Sequence, residues 1–144
     1  MKTIAIDFDG VIHKYSKGWQ DWSIYDIPNK WAFEFIDKLM NKWYAVFIFS
    51  TRSPRQIKKW INNHIIEYNK DFDERHMPWI YETFNKYSFT CSIIPFWTKF
   101  WNKPNVLWIT QRKLPAIAYI DDRAVKFEWN FNILQYNYEN STHI

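Results

Sequence analysis

The chain has 144 residues, 47% of them apolar, and a formal net charge of +4, which is one domain of ordinary size with enough apolar material for a core. No run approaches the about 18 apolar residues of a membrane span, and the N-terminus "MKTIAIDFDG" lacks the apolar length and cleavage site of a signal peptide. The single cysteine, Cys91, excludes an internal disulfide and fits a reducing compartment, so the cytoplasm is expected.

In chain order, residues 3–8 read as a buried strand, followed by a polar, turn-rich stretch from Gly10 to Asn29. Residues 30–42, "KWAFEFIDKLMNK", carry Phe33, Ile36 and Leu39 or Met40 at helical spacing. "YAVFIFS" (44–50) is a short continuous apolar run, the mark of a strand covered on both faces. "SPRQIKKWINNHIIEYN" (53–69) opens with Ser53 as N-cap and Pro54 at N1, and sets Ile57, Ile61 and Ile65 on one helical face. A second helix is expected within 73–87, a strand at 105–110, a buried strand at 116–121, a short helix from "AVKFEW" and a last strand at 132–137. Residues 1–138 form a single domain on this reading, with 139–144 a disordered tail. Strands alternating with helices predict an α/β fold, a three-layer Rossmann-like sandwich with a mainly parallel sheet, helices on both faces and no large cap domain.

Two counts are unusual. There are two glycines and ten tryptophans, where an average glycine content near 7% gives about ten glycines. Several tryptophans stand where glycine makes physical sense. Trp43 falls between a helix and a strand, at the C′ position where a left-handed residue is usually Gly. Trp22, Trp31, Trp108 and Trp129 occupy turn-like or edge positions. The pattern is that of a gene from a lineage that reads UGA as glycine, translated with UGA as tryptophan, or else of an aromatic-rich protein with genuine tryptophans. The basic balance is spread along the chain without a run of five like charges, and fits AT-rich coding better than a nucleic-acid surface.

In parallel sheets, ligands bind outside the carboxyl ends of the strands. The first strand ends in Asp7 and Asp9, the second in Ser50-Thr51-Arg52, and that at 116–121 in Asp121-Asp122-Arg123. Each has a bland explanation taken alone, as a turn former or a helix cap. Together they bring four carboxylates to one rim, where mutual repulsion calls for a cation. Hard oxygen ligands beside a phosphate favour Mg²⁺. An aspartate can attack a phosphoryl group, and a second one two positions on can serve as general acid and then base. A hydroxyl from Ser50 and a basic side chain would hold the non-bridging oxygens. The four histidines make no pair at ligand spacing, so zinc is not expected. Cys91 reads as a small buried residue.

At these residues the sequence resembles the haloacid dehalogenase superfamily of phosphohydrolases, over roughly residues 1–128. "DFDGVI" resembles its first motif, "FIFSTR" its second and "YIDDR" its acidic fourth. The resemblance implies Asp7 as nucleophile, Asp9 as acid/base and Ser50 as phosphate ligand. It also implies Mg²⁺ held by Asp7, the Asp9 carbonyl, and Asp121 or Asp122. The third-motif lysine is assigned to Lys113, with Lys99 and Lys103 as alternatives. Gly10, Thr51, Arg52 and Arg123 complete the substrate-binding set.

Neither connection after the first two motifs holds a large cap, so the site is open to a bulky substrate or is shielded by a second copy of the chain. The aromatics of 71–112 (Trp79, Tyr81, Phe96, Trp97, Phe100, Trp101) read first as core and second as a wall beside the site. "STR" and "IDDR" also resemble the phosphatase domain of polynucleotide kinase-phosphatases. That likeness implies a nucleic-acid end as substrate, with Arg52 and Arg123 on phosphates and aromatics stacking a base. A nucleotide or another small phosphomonoester fits equally. The reading from another class is a non-catalytic binding or regulatory module on the same fold.

Overall fold

In a computed structural model of the chain, residues 1–76 and 89–124 are described, those from 66 to 76 by their backbone alone. The elements are β1 (Lys2–Asp7), α1 (Ala32–Asn41), β2 (Tyr44–Phe49), α2 (Pro54–His76), β3 (Thr90–Ile93), β4 (Val106–Thr110) and β5 (Ala118–Ile120). They form an α/β fold on one five-stranded sheet in the order β3-β4-β2-β1-β5, with every pairing parallel. Helix α2 runs longer than its apolar face predicts and absorbs the start of the helix expected at 73–87. The remainder of that helix, the helix from "AVKFEW", the strand at 132–137, the tail and Trp129 lie outside the described residues.

Strand β2 is central, and Ala45, Val46, Phe47 and Ile48 are all fully buried, as its unbroken apolar run requires. Alternation along the strands sends Ile4, Ile6, Val46, Ile48, Leu107 and Ile109 to one face. There they meet Phe33, Ile36 and Met40 of α1 and Ile57, Trp60 and Ile61 of α2. Ala5, Ala45 and Phe47 point the other way, onto Ile94, Trp101 and Leu114.

The strand order explains this division. The connections β1→β2 and β2→β3 step across the sheet in one direction, and right-handed crossovers put both helices on one face. The connections β3→β4 and β4→β5 step back and lie on the opposite face. Among the described residues these are irregular segments, so helices on both faces are not seen there. β3 was not foreseen, because its four residues, "TCSI", carry no periodic signal. The expected strand at 116–121 is shorter than predicted, and among the described residues it is an edge rather than a buried strand: Ala118 and Tyr119 are exposed.

Among the described residues, four besides glycine have positive φ: Tyr15 (58°), Trp31 (70°), Trp43 (67°) and Asn105 (62°). Trp31 and Trp43 flank α1, and their side chains are 63% and 71% exposed. Trp22 is an exposed loop residue without a left-handed backbone, and Trp108 is half-buried within β4. The Trp108 ring sits 3.8 Å from that of Trp101, and the indole nitrogens of both are buried without a hydrogen-bond partner among the described residues. Cys91 is buried among apolar side chains, and burial pushes its thiol up to about 12.

Candidate functional site

Register places the strand ends level. Asp7 pairs with Phe49 across β1 and β2, and Ile6 with Ile120 across β1 and β5. The residues that follow emerge together. A cleft of about 320 Å³ opens there, lined by Asp7, Asp9, Tyr15, Ser50, Thr51, Tyr119, Asp121, Asp122 and Arg123, with Ile6, Phe49 and Ile120 beneath. Ligand oxygens of Asp7, Asp121 and Asp122 all lie within 4.8 Å of one another.

That convergence has an electrostatic cost. Burial, and then the charge of Asp121, push the Asp7 carboxyl up to about 7, with Asp122 and Asp9 adding to the rise. The Phe8 N–H donates to Asp7 Oδ1 at 2.8 Å and partly offsets it. Asp122 is likewise raised, by burial and by its hydrogen bond and charge contact with Asp121. Three hard oxygen donors in a negative, half-open cleft fit a small divalent cation such as Mg²⁺.

Gly10 belongs to the same corner. Its φ is +84°, and a Cβ there would run into the Asp122 carboxylate. The turn that lifts Asp9 off β1 therefore needs glycine both for its backbone and for its neighbour.

Asp9 faces a different set of partners. Arg52 Nε donates to Asp9 Oδ1 at 2.9 Å and to Oδ2 at 2.8 Å, and His13 Nδ1 lies 2.8 Å from Oδ1. The Asp26 N–H donates to His13 Nε2 at 3.0 Å. A ring nitrogen that accepts cannot carry the proton, so the Nδ1–H is the donor to Asp9. His13 is 0% exposed, and its ring is flanked by those of Phe8, Tyr15, Tyr25 and Trp60.

Comparison with family models, with curated proteins and with solved structures gives no match. What the cleft does must be argued from its own side chains.

Asp7, Asp9, Gly10, Ser50, Thr51, Asp121, Asp122 and Arg123 are brought together as their strand-end positions predict. Ser50 is buried, donates its N–H to Thr110 O and accepts the Arg52 N–H on Oγ at 3.2 Å. Gln111 at the end of β4 donates to the Thr51 and Arg52 carbonyls and fastens this loop. Arg123 is exposed and folds back, its N–H donating to Asp121 Oδ1.

Arg52 is not on the cleft wall. It is 1% exposed, and its guanidinium reaches behind Asp9 to the Trp22 and Ser23 carbonyls through Nη1. Lys113 is also off the cleft: its Nζ lies over the ring of Tyr119, which is a wall residue. Lys103 covers Trp101 on the far side, and Lys99 does not line the cleft.

The aromatic wall expected from 71–112 lies elsewhere. Phe96, Trp97 and Phe100 are exposed away from the cleft and Trp101 is core, while Tyr15 and Tyr119 flank the carboxylates. Trp79 and Tyr81 lie outside the described residues. His13 was missed because it was weighed only as a metal ligand. Its position four residues after Asp9, inside a polar turn, was the available signal.

Proposed function

We propose that the protein is a Mg²⁺-dependent phosphomonoester hydrolase of the haloacid dehalogenase type, working through an aspartyl-phosphate on Asp7. The observation that carries this reading is the convergence of Asp7, Asp121 and Asp122 oxygens within 4.8 Å, beside Asp9 held separately by Arg52 and His13. The two aspartates of "DFD" thus have different surroundings. Environments that set paired carboxylates apart suit different roles in one reaction.

Asp7, the Asp9 carbonyl and Asp121 or Asp122 would hold the Mg²⁺, which supplies charge neutralisation for the nucleophile and the phosphoryl oxygens. In the first step an Asp7 carboxylate oxygen attacks phosphorus, the bond to the leaving oxygen breaks, and Asp9 gives that oxygen its proton. In the second step water attacks the same phosphorus and loses its proton to Asp9. The bond to Asp7 breaks, and orthophosphate and both aspartates are restored. Ser50, Thr51 and Arg123 bind the non-bridging oxygens, where transition-state charge is spread. Lys113, off the cleft over the Tyr119 ring, would have to swing inward to serve as the third-motif cation.

A three-layer Rossmann-like sandwich belongs to this reading, as does a cytoplasmic setting. No helix among the described residues is long and apolar enough to cross a membrane. The open cleft suits a nucleotide, a nucleic-acid end or another small phosphomonoester, or shielding by a second copy of the chain.

Hydrolysis of p-nitrophenyl phosphate with and without Mg²⁺, in the wild type and in Asp7→Asn, tests the reading. Mg²⁺-dependent turnover that the substitution abolishes is the expected result. Absent turnover, or equal turnover in both proteins, leaves a non-catalytic binding module as the better account.

A further inference from the structure

The arrangement around Asp9 goes one step beyond that reading and rests on it. We propose that His13 and Arg52 are positioning residues that aim the Asp9 carboxylate at the leaving oxygen. An aspartate side chain at the start of a loop can rotate about two bonds, and about 1 Å of misplacement costs as much as a hundredfold in rate. Here Oδ1 takes hydrogen bonds from both His13 Nδ1 and Arg52 Nε, whereas Oδ2 takes one, from Arg52. Oδ2 therefore keeps the lone pair available for the transferred proton, and the geometry distinguishes the two oxygens.

Both donors are immobile. His13 is locked by the Asp26 N–H and by four neighbouring rings, and Arg52 by the Trp22 and Ser23 carbonyls. Arg52 is also an expensive residue to bury, since its Nη2 has no hydrogen-bond partner among the described residues. A buried, incompletely paired guanidinium is poor material for stability alone. Its contact with a reacting carboxylate gives it a reason to be there.

Leaving-group dependence separates positioning from mere folding. The full-length variants His13→Ala, His13→Asn, Arg52→Gln and Arg52→Lys are compared with wild type on p-nitrophenyl phosphate and on glycerol phosphate. p-Nitrophenolate departs without a proton, whereas an alkoxide needs one. In His13→Ala and Arg52→Gln, the first turnover of glycerol phosphate falls by about a hundredfold, the usual scale of general-acid catalysis. First-turnover release of p-nitrophenol changes by less than about tenfold on the same scale. The second step needs Asp9 as base with either substrate, so phosphoenzyme accumulates after a p-nitrophenol burst. His13→Asn and Arg52→Lys, which retain a donor, recover part of the loss and carry the test if the other variants do not fold. Equal losses on both substrates without a burst, or no loss, overturn the proposal. An inactive wild type overturns the phosphatase reading itself.

A second inference stands on the backbone at Trp31 and Trp43, independently of the site. We infer that glycine occupies positions 31 and 43 when the gene is read by its own translation system. Trp43 follows the C-cap Lys42 of α1 with φ 67°, and its N–H donates to Met40 O, the arrangement in which the C′ residue is usually glycine. Trp31 is left-handed at the N-cap and makes no side-chain capping bond. For bulky residues such backbones are true outliers. Both genuine glycines, Gly10 and Gly18, have positive φ as well. UGA codons at 31 and 43, with glycine in the corresponding peptides of the native protein by mass spectrometry, are the expected result. UGG at these positions overturns the inference.

Discussion

Arg52 Nε sits 2.9 Å and 2.8 Å from the two carboxylate oxygens of Asp9, joining residues 43 positions apart in sequence. The pair connects the loop after β2 to the turn after β1, and Arg52 Nη1 extends the connection to the carbonyls of Trp22 and Ser23. Removing one partner of a buried pair leaves an uncompensated charge and costs about 3 kcal/mol. Arg52→Ala is expected to lose that much in urea unfolding. The double variant Asp9→Asn/Arg52→Gln should be less destabilised than the sum of its single substitutions. Strict additivity would mean that the contact carries no coupling.

Asp7 predicts an inverted pH profile for the metal-free protein. Its carboxyl is raised from an ordinary value of 3.8 to about 7, so the folded chain binds a proton that the unfolded chain has released. That contribution is fully present below about 4, the ordinary carboxylate range, and is lost as pH rises through about 7. Thermal unfolding without metal should therefore shift downward between pH 5 and pH 8. Mg²⁺ should raise the midpoint more at pH 8 than at pH 5, because it replaces the proton. Asp7→Asn should flatten the metal-free profile, and a slope unchanged by this substitution would assign the effect elsewhere.

Gly10 and Gly18 form a matched pair of probes. Both have positive φ, but a Cβ on Gly10 meets the Asp122 carboxylate while one on Gly18 meets nothing within 4 Å. Gly10→Ala is expected to displace Asp122 and raise the Mg²⁺ concentration for half-maximal activation by about 10–100-fold, the cost of disturbing a ligand's support. Gly18→Ala should leave that concentration unchanged. Equal effects from the two substitutions would point to backbone strain rather than to the carboxylate.

Trp43→Gly should make the protein more stable although it deletes the largest of side chains. A left-handed backbone costs an L-residue about 1–2 kcal/mol, and the side chain, 71% exposed, has little burial to lose. For a chain of this length a gain of about 1 kcal/mol corresponds to about 3 °C in Tm. Differential scanning calorimetry of Trp31→Gly, Trp43→Gly and the double variant reads this directly. A lower Tm would mean that the indoles contribute more than their exposure implies.

The elements with a strong period were readable from the residues: β1, α1 and β2 lie within two positions of where their apolar spacing puts them, and α2 starts where expected but runs on to His76. β3 and β5 were harder. A four-residue and a three-residue strand carry too few alternations to mark a face, and the apolar "AIAYI" conceals the exposure of β5. In the site, the carboxylates and the Ser50-Thr51 pair were legible because strand ends converge whatever the side chains do. Arg52 was not, because adjacency to a hydroxyl motif does not say which way a long side chain turns. It turned toward Asp9, a half-buried carboxylate. His13 shows the complementary difficulty, since its role depends on Asp26, a partner 13 residues away.

Strand β1 lies between β2 and β5, so the first strand of the chain has the last of the described strands as one of its two neighbours. Asp7 and Asp9 are made before α1 and β2, while Asp121 and Asp122 arrive only after β4 and the crossing segment have been made. During synthesis the nascent chain can pack β1 against β2 and α1, yet its acidic cleft remains half-built until β5 has been made. The acidic cleft is therefore completed only when β5 joins the sheet, and a chain truncated before β5 would have Asp7 without Asp121 and Asp122 beside it.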